Sequence, residues 1–287
     1  MDEITGLSPR ERALRDYDEN FIKYWDKAFS ELKAARADEN KMWLVGSSSY
    51  LFSVGGVKFA VDLQIRRMTD IASISDRLCD DIGALSFILI THQHDDHFCI
   101  PLIKHVCHLP IKWYLPSKMP EEFFAAAGIS EDFRVSVGAG ESFTVGGLRI
   151  TAFDSQHVRK NSTVNMPENG YYIETKDGSF VIPADVRDYG YRDYPSFDGV
   201  DLCISHLWAG DNAIDEDAYL PMIDEFVDFS LSLGAKRYFI CHLYEIGRKD
   251  KYMWHDAHAA LAIERFLKRS PGVTVEIPRL GCSYKLF

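Results

Sequence analysis

One short stretch of this chain constrains its fold more than any other, because a buried strand leads directly into a cluster of metal-binding side chains. Residues 87–90 are apolar and mostly branched, which is typical of a buried strand. Three histidines and two aspartates then follow within six residues. In extended backbone His92 and His94 point to the same side, and Asp96 and His97 follow where the chain turns.

The residue types in this cluster indicate a metal site. Neutral imidazoles and carboxylates are the ligands that suit zinc and related divalent cations. In an apolar core each of these groups would need its own hydrogen-bond partner, so packing does not explain the cluster. The alternative interpretation is a polar surface loop that happens to be rich in histidine.

The composition favours a globular protein. The 287 residues are 46% hydrophobic and 26% charged, which is enough for one large domain or two small ones. A net charge of -11 argues against wholesale binding of nucleic acid. Six cysteines without a C-x-x-C pair indicate free thiols in a reducing compartment. We find no signal peptide and no apolar run long enough to span a membrane, so we expect a cytoplasmic protein, with a homo-oligomer left open.

The order of elements predicts two similar halves, each pairing a sheet with helices. Residues 8–40 read as a helix that begins with a capping box, Ser8-Pro9-Arg10-Glu11, and carries an aromatic stripe. The stripe is interpreted as core packing, with a substrate lid or a dimer surface as alternatives. After this helix the patterns run meander, α/β, meander, α/β. We predict a helical extension over residues 1–41, packed on one domain over residues 42–287.

The local motif resembles that of a known family. Four residues match the H-x-H-x-D-H signature of the metallo-β-lactamase fold, namely His92, His94, Asp96 and His97. That fold also uses three distant ligands, each after a strand, and this chain offers three in the same order: His157, Asp185 and His242. The resemblance covers residues 42–286 and implies an α/β protein with a four-layer αββα sandwich.

The resemblance also implies a dinuclear metal site. By the family pattern, the ligands of one metal are His92, His94 and His157. The ligands of the second are Asp96, His97 and His242, and Asp185 bridges the two. Zinc is expected, with manganese or iron open because ligand type does not settle the metal. A shared water would ionise near neutral pH and attack as hydroxide, oriented by Asp96.

Each distant ligand has a simpler interpretation as well. His157 is alternatively an ordinary loop histidine, and His242 is alternatively a satisfied core histidine. Asp185 is alternatively a helix N-cap, a position that aspartate favours. The order of all the candidate ligands along the chain favours the metal interpretation.

Departures from particular branches narrow the resemblance. His94 stands where the diiron flavoproteins of this fold carry Glu, and Asp185 stands where many zinc β-lactamases carry Cys. The chain looks most like the branch of L-ascorbate-6-phosphate lactonase and the N-acylphosphatidylethanolamine phospholipase D-like hydrolases. The features are a Gly-Ser-Ser-Ser turn at residues 46–49 and the run from His157 through Val158 and Arg159 to Asn165 and Gly170.

Further residues are candidates for contact with a substrate. Arg159 and Lys160 follow His157 and predict recognition of a phosphate or carboxylate, with a solvated loop pair as the alternative. His206 lies at the end of a predicted strand, where it either protonates a leaving group or has a structural role. We therefore predict a hydrolase that cleaves a lactone or phosphoester bond of a small anionic metabolite. The alternatives are a nuclease or phosphodiesterase on RNA or DNA, and a non-catalytic metal-binding protein.

Overall fold

The structure, a computed structural model, describes residues 6–157, 166–190 and 194–287. The helices of these ranges are α1 (Pro9–Ala34), α2 (Met68–Gly83), α3 (Ile100–Val106), α4 (Glu121–Ala127), α5 (Glu216–Ser232) and α6 (Asp256–Arg269). The first sheet contains β1 (Lys41–Leu44), β2 (Tyr50–Val54), β3 (Val57–Val61), β4 (Phe87–Leu89), β5 (Lys112–Pro116), β6 (Arg134–Val137) and β14 (Ser283–Lys285). The second contains β7 (Ser142–Val145), β8 (Leu148–Asp154), β9 (Asn169–Glu174), β10 (Ser179–Ile182), β11 (Leu202–His206), β12 (Arg237–Cys241) and β13 (Thr274–Glu276).

Both sheets combine an antiparallel meander with a parallel part. In the first, β1, β2 and β3 are antiparallel, and β3 to β6 are parallel neighbours. In the second, β7 to β10 are antiparallel and β10 to β13 are parallel. Parallel neighbours need crossover connections, which contain α2, α3 and α4 in one half and α5 and α6 in the other.

Aromatic side chains fill the space between the sheets. The ring of Phe52 lies 4.9 Å from that of Phe59 in the first sheet and 5.2 Å from that of Phe180 in the second. All three side chains are fully buried. The outer faces of the two sheets carry two more apolar cores, one under α1 to α4 and one under α5 and α6. The predicted αββα sandwich is thus confirmed.

Helix α1 begins with the predicted capping box. The side chain of Ser8 accepts a hydrogen bond from the backbone N–H of Glu11 at 3.2 Å, and the Glu11 carboxylate accepts one from the backbone N–H of Ser8 at 2.7 Å. The aromatic stripe packs inward: Trp25 is fully buried and its indole N–H donates to Asp81 of α2 at 2.9 Å. The core residues of α1 belong to the same apolar cluster as residues of the first sheet. The division into a helical extension over residues 1–41, packed on a domain over residues 42–287, stays a prediction.

The carboxyl ends of several strands meet at one edge of the sandwich. Strands β4, β8, β10 and β12 all end there, and each is followed by a candidate ligand. Ligands of α/β sheets bind at such an edge, where the loops after the strands converge. None of the helices in the described ranges has the length and apolar character that crossing a membrane requires.

Candidate metal centre

Three histidines from two different sheets converge at this edge. His92 and His94 follow β4, and His157 follows β8. The Nδ1 atom of His94 lies 3.0 Å from Nε2 of His92 and 3.0 Å from Nε2 of His157. Tetrahedral zinc with histidine ligands separates two nitrogens by about 3.3 Å. The three ring nitrogens therefore stand close to the spacing that one cation requires.

A second cluster lies beside the first. Its four ligand atoms belong to Asp96, His97, Asp185 and His242. Nε2 of His97 is 3.5 Å from Oδ2 of Asp185, and Nε2 of His242 is 3.3 Å from Oδ2 of Asp96 and 3.7 Å from Oδ2 of Asp185. Nε2 of His97 is buried and has no hydrogen-bond partner among the described residues. A cation would satisfy it, so the donor set fits a second metal.

All seven predicted ligands thus come together, although they span the chain from residue 92 to residue 242. No helix begins at Asp185 in the described segment 166–190, which excludes the N-cap alternative for that residue. His157 and His242, which follow β8 and β12, are both buried at the cluster. Their roles as ligands belong to the proposal below.

Buried acceptors behind the histidines fix which ring nitrogen faces the cluster. Nδ1 of His97 lies 2.8 Å from Asp62, and Nδ1 of His92 lies 3.0 Å from Glu168. Nδ1 of His157 lies 3.0 Å from the backbone oxygen of Asp185. An Nδ1–H that donates to each acceptor leaves the Nε2 lone pair for a cation, an arrangement found around metal-bound histidines.

Sequence reasoning missed Asp62 and Glu168. Asp62 follows strand β3, and its carboxylate also accepts hydrogen bonds from the backbone N–H and the hydroxyl of Thr91. A lone Asp at a strand end was the available signal for Asp62, while Glu168 lies in a segment without any recognisable pattern. Both carboxylates are fully or almost fully buried, which makes their partners essential.

The protonation states fit a cation site. Burial lowers the pKa of His157 to about 3 and holds the pKa of His92 well below its usual value. Burial also opposes a proton on His97, but the carboxylates of Asp185 and Asp96 outweigh it and raise the pKa of His97 well above the usual value. The first cluster is therefore neutral and ready to bind a metal, whereas the second holds a proton where a metal would lie.

His206 lies behind Asp185. Its Nδ1 is 2.8 Å from Oδ1 of Asp185, and its Nε2 is 2.7 Å from the hydroxyl of Tyr50. The residue follows the predicted strand, but both ring nitrogens are engaged with protein groups. This geometry favours a role for His206 in holding the Asp185 carboxylate so that Oδ2 faces the cluster. The predicted proton transfer from His206 to a leaving group stays a prediction.

The turn at residues 46–49 ties the ligand loops together. The backbone N–H of His242 donates to the backbone oxygen of Ser47 at 2.8 Å, and the Ser48 hydroxyl donates to the backbone oxygen of Asp96 at 3.0 Å. His242 and Ala184 adopt positive φ angles of 64° and 62°. Non-glycine residues in this conformation cost free energy and are often found at functional sites.

A cleft of approximately 730 Å³ opens onto both clusters. This volume is typical of sites for small molecules. The charged residues that line it are mixed in sign: Arg66, Arg187 and Arg248 against Asp95, Asp96, Asp211 and Glu245. The predicted substrate residues Arg159 and Lys160 lie outside the described residues.

Comparisons with known proteins agree with the fold. The sequence profile of the β-lactamase superfamily domain matches residues 70–243. No curated protein matches the chain in sequence. The structure is similar to the metallo-β-lactamase fold protein YhfI from Bacillus subtilis, with a TM-score of 0.57, 17% identity, and coverage of 86% of this chain and 100% of that chain.

Two further similar structures belong to proteins that are named for different activities. Igni18, a metallo hydrolase from the archaeon Ignicoccus hospitalis, has a TM-score of 0.53 and 13% identity, covering 86% of this chain and 99% of that chain. CmlA, a diiron β-hydroxylase from Streptomyces venezuelae, has a TM-score of 0.59 and 15% identity, covering 86% of this chain and 54% of that chain. The chain thus spans about half the length of CmlA. At these identities the likeness shows the fold alone.

Proposed function

This chain belongs to the β-lactamase superfamily and has the His/Asp clusters of a metal-dependent hydrolase, and we propose that it cleaves a lactone or phosphoester bond of a small anionic metabolite. The observation that supports the proposal most is the convergence of the seven ligand residues in two clusters beside one cleft, which His94, Asp96, His157 and His242 line. Two divalent ions in these clusters, zinc by preference, would activate a water and polarise the bond that is cleaved.

The protein residues around the metals have separate tasks in this proposal. His92, His94 and His157 would hold one ion through neutral rings. Glu168 keeps the proton of His92, and Asp62 the proton of His97, on the side away from the metals. Asp185 would be a ligand of both ions. Asp96 would hold the second ion and orient the nucleophile, and its backbone oxygen accepts a hydrogen bond from the Ser48 hydroxyl.

The substrate class is supported by the composition of the cleft. Three arginines line it, so an anionic substrate of metabolite size would find counter-charges there. The acidic residues between them argue against a nucleic-acid strand, which needs a continuous basic surface. We also propose a cytoplasmic location, since all six cysteines are free. A homo-oligomeric state is part of the same proposal.

Metal analysis combined with a substrate screen tests this function. The purified protein is assayed for bound metal and then for hydrolysis of 4-nitrophenyl phosphate, bis(4-nitrophenyl) phosphate and a lactone panel. We expect about two metal ions per chain and activity that thorough chelation abolishes and added zinc restores. Asp185→Asn should lose most of the activity, and Asp188→Asn, three residues further along the same loop, serves as the matched control.

The outcomes separate the alternatives. Hydrolysis that survives chelation would contradict the metal mechanism. A wild-type protein that binds both metals and hydrolyses none of these substrates would favour a non-catalytic metal-binding protein. Activity confined to the bis-phosphodiester would favour a phosphodiesterase.

A further inference from the structure

Arg187 and Trp208 contact each other and line the cleft beside the metal-ligand clusters. The guanidinium carbon of Arg187 lies 4.9 Å from the centroid of the Trp208 ring. The arginine side chain is only 10% exposed, and its Nη2 atom is 3.2 Å from Oδ2 of Asp185. Stacking on an aromatic face and a carboxylate contact together fix the plane of the guanidinium.

The hydrogen bonds of Arg187 depend on the tautomer of His157. Among the described residues the guanidinium has two acceptors, Oδ2 of Asp185 and Nδ1 of His157, the latter 3.4 Å from Nε of Arg187. When Nε2 of His157 binds a cation, Nδ1 carries the proton and donates it to the backbone oxygen of Asp185 at 3.0 Å. Nδ1 then cannot accept from Arg187, whose Nε–H needs another acceptor.

The other arginines of the cleft have carboxylates of their own. Nη1 of Arg66 lies 3.2 Å from Asp95, and Arg248 forms a close ion pair with Glu245. The carboxylate partner of Arg187 is instead the residue expected to bridge the two metals, whose negative charge the metals would neutralise. In the metal-loaded protein Arg187 is therefore the cleft arginine with the least charge compensation from the described residues.

We propose that Arg187, stacked on Trp208, is the receptor for a carboxylate or phosphate group of the substrate. Its planar fork of N–H donors matches two oxygens of either anion. This assignment rests on the proposed function, because the anion is taken to be part of the molecule that is hydrolysed. It places the negative group of the substrate next to Asp185, and therefore close to the bond that is cleaved.

Phosphate binding tests the receptor without reference to activity. Inorganic phosphate is titrated by calorimetry into metal-loaded wild type, Arg187→Met and Arg187→Lys, after their metal contents have been matched. We expect roughly tenfold or greater weakening in Arg187→Met and a smaller loss in Arg187→Lys. Phosphate binding that is unchanged in Arg187→Met, or undetectable in wild type, would overturn the assignment.

A matched control comes from another arginine of the same chain. Arg134, the first residue of β6, lies away from the cleft. Its guanidinium carbon is 5.2 Å from the centroid of the Phe124 ring, and its guanidinium pairs with Glu121 and Glu131. Its side chain is 15% exposed, close to that of Arg187. Arg134→Met should leave phosphate binding unchanged.

Kinetics with charged and neutral esters identify the anion. 4-Nitrophenyl acetate is neutral, mono-4-nitrophenyl succinate carries a carboxylate beyond the scissile ester, and in 4-nitrophenyl phosphate the anionic phosphate is itself the group that is cleaved. Arg187→Met should lose roughly tenfold or more in kcat/KM on an anionic ester, mainly through KM, and little on the acetate. The larger loss, on the succinate or on the phosphate, shows which anion the receptor serves.

The two proposals fail in different ways. If wild type hydrolyses none of the three esters in a metal-dependent manner, the proposed function fails, and the phosphate titration still decides the role of Arg187. If Arg187→Met loses activity equally on neutral and anionic esters, the arginine positions Asp185 and the receptor assignment is wrong.

Discussion

His97 is the residue whose charge depends most directly on whether a metal is bound. Its Nε2 faces the carboxylates of Asp96 and Asp185, and its Nδ1 lies 2.8 Å from Asp62. Although burial opposes it, these carboxylates raise the pKa of His97 well above its usual value, so the metal-free protein holds a proton there at pH 7. A cation bound at Nε2 must displace that proton.

Zinc binding at pH 7 should therefore release a proton from His97. We expect His97 to contribute about one proton per chain, because the other histidine ligands have lowered pKa values and are already neutral. Ionisation of a metal-bound water adds to the total, so wild type is compared with His97→Gln. Calorimetry in two buffers of different ionisation enthalpy measures the number released. His97→Gln should still fill the first cluster and release fewer protons than wild type, and an equal release from the two proteins would contradict the assigned protonation state.

The contacts behind Asp185 make a second prediction at this scale. Tyr50 and His206 form a buried chain that holds the Asp185 carboxylate. His206→Ala should weaken metal binding by about 10- to 100-fold, and Tyr50→Phe by less, because partners behind metal ligands have effects of this size. Competition with a chromophoric chelator measures the affinity.

A histidine elsewhere in the protein provides the control. His258 is equally buried, but its Nε2 donates to the backbone oxygen of Ala213, away from the clusters. His258→Gln should leave the metal affinity unchanged. A His206→Ala variant with wild-type affinity and a changed pH profile of kcat would instead support the proton-transfer role.

At the scale of elements, helix α1 is part of the core of the first sheet. Its inward face carries fully buried aromatic rings, and Trp25 packs 4.6 Å from Phe29 while it donates to Asp81 of α2. The helix also lines a second cavity, which has His242 among its other lining residues. Its packing should therefore influence the stability of the whole molecule.

Trp25→Ala should destabilise the protein by about 3–5 kcal/mol, since it removes a fully buried ring and leaves Asp81 without its indole donor. Urea unfolding of the metal-free protein measures the loss. Met68→Ala, at an exposed position of α2, should change the stability by less than about 0.5 kcal/mol. A Trp25→Ala variant with a local loss of α1 and an unchanged main transition would show that the helix is a separable extension.

At the scale of the whole molecule, the metal centre joins the two halves. The early ligand cluster follows a strand of the first sheet, while His157, Asp185 and His242 follow strands of the second. A cation bound by both sets connects sheets that are otherwise held together by their apolar faces. The metal is thus expected to stabilise the complete sandwich.

Chelation should accordingly lower the thermal midpoint of the whole protein in a single transition. A ligand present at 100 times its Kd stabilises the folded state by about 2.7 kcal/mol, which corresponds to roughly 4–5 °C for a chain of 287 residues. Differential scanning calorimetry with and without zinc measures the shift. Asp185→Asn should show a smaller shift, and an unchanged midpoint in wild type would mean that the clusters do not hold a metal.

The sequence by itself determined the order of the elements and the ligand-bearing stretch after β4. These features are local: strand periodicity, turn residues and a run of histidines can be read within a short window. The αββα class was implied by the resemblance to a known family. The three distant ligands could be named only because each follows an apolar strand in the order that a known family uses. The short strand β6 was not predicted, because its partly exposed residues lack a clear apolar pattern.

Only the tertiary structure decided how the site is held. Tyr50 meets His206 across 156 residues of sequence, and Asp62 and Glu168 reach their histidines from other segments. Buried polar groups find their partners in space, so no local pattern announces the pairs. Arg187 stands out for the same reason, since its stacking on Trp208 and its contact with a ligand carboxylate exist only after the chain has folded.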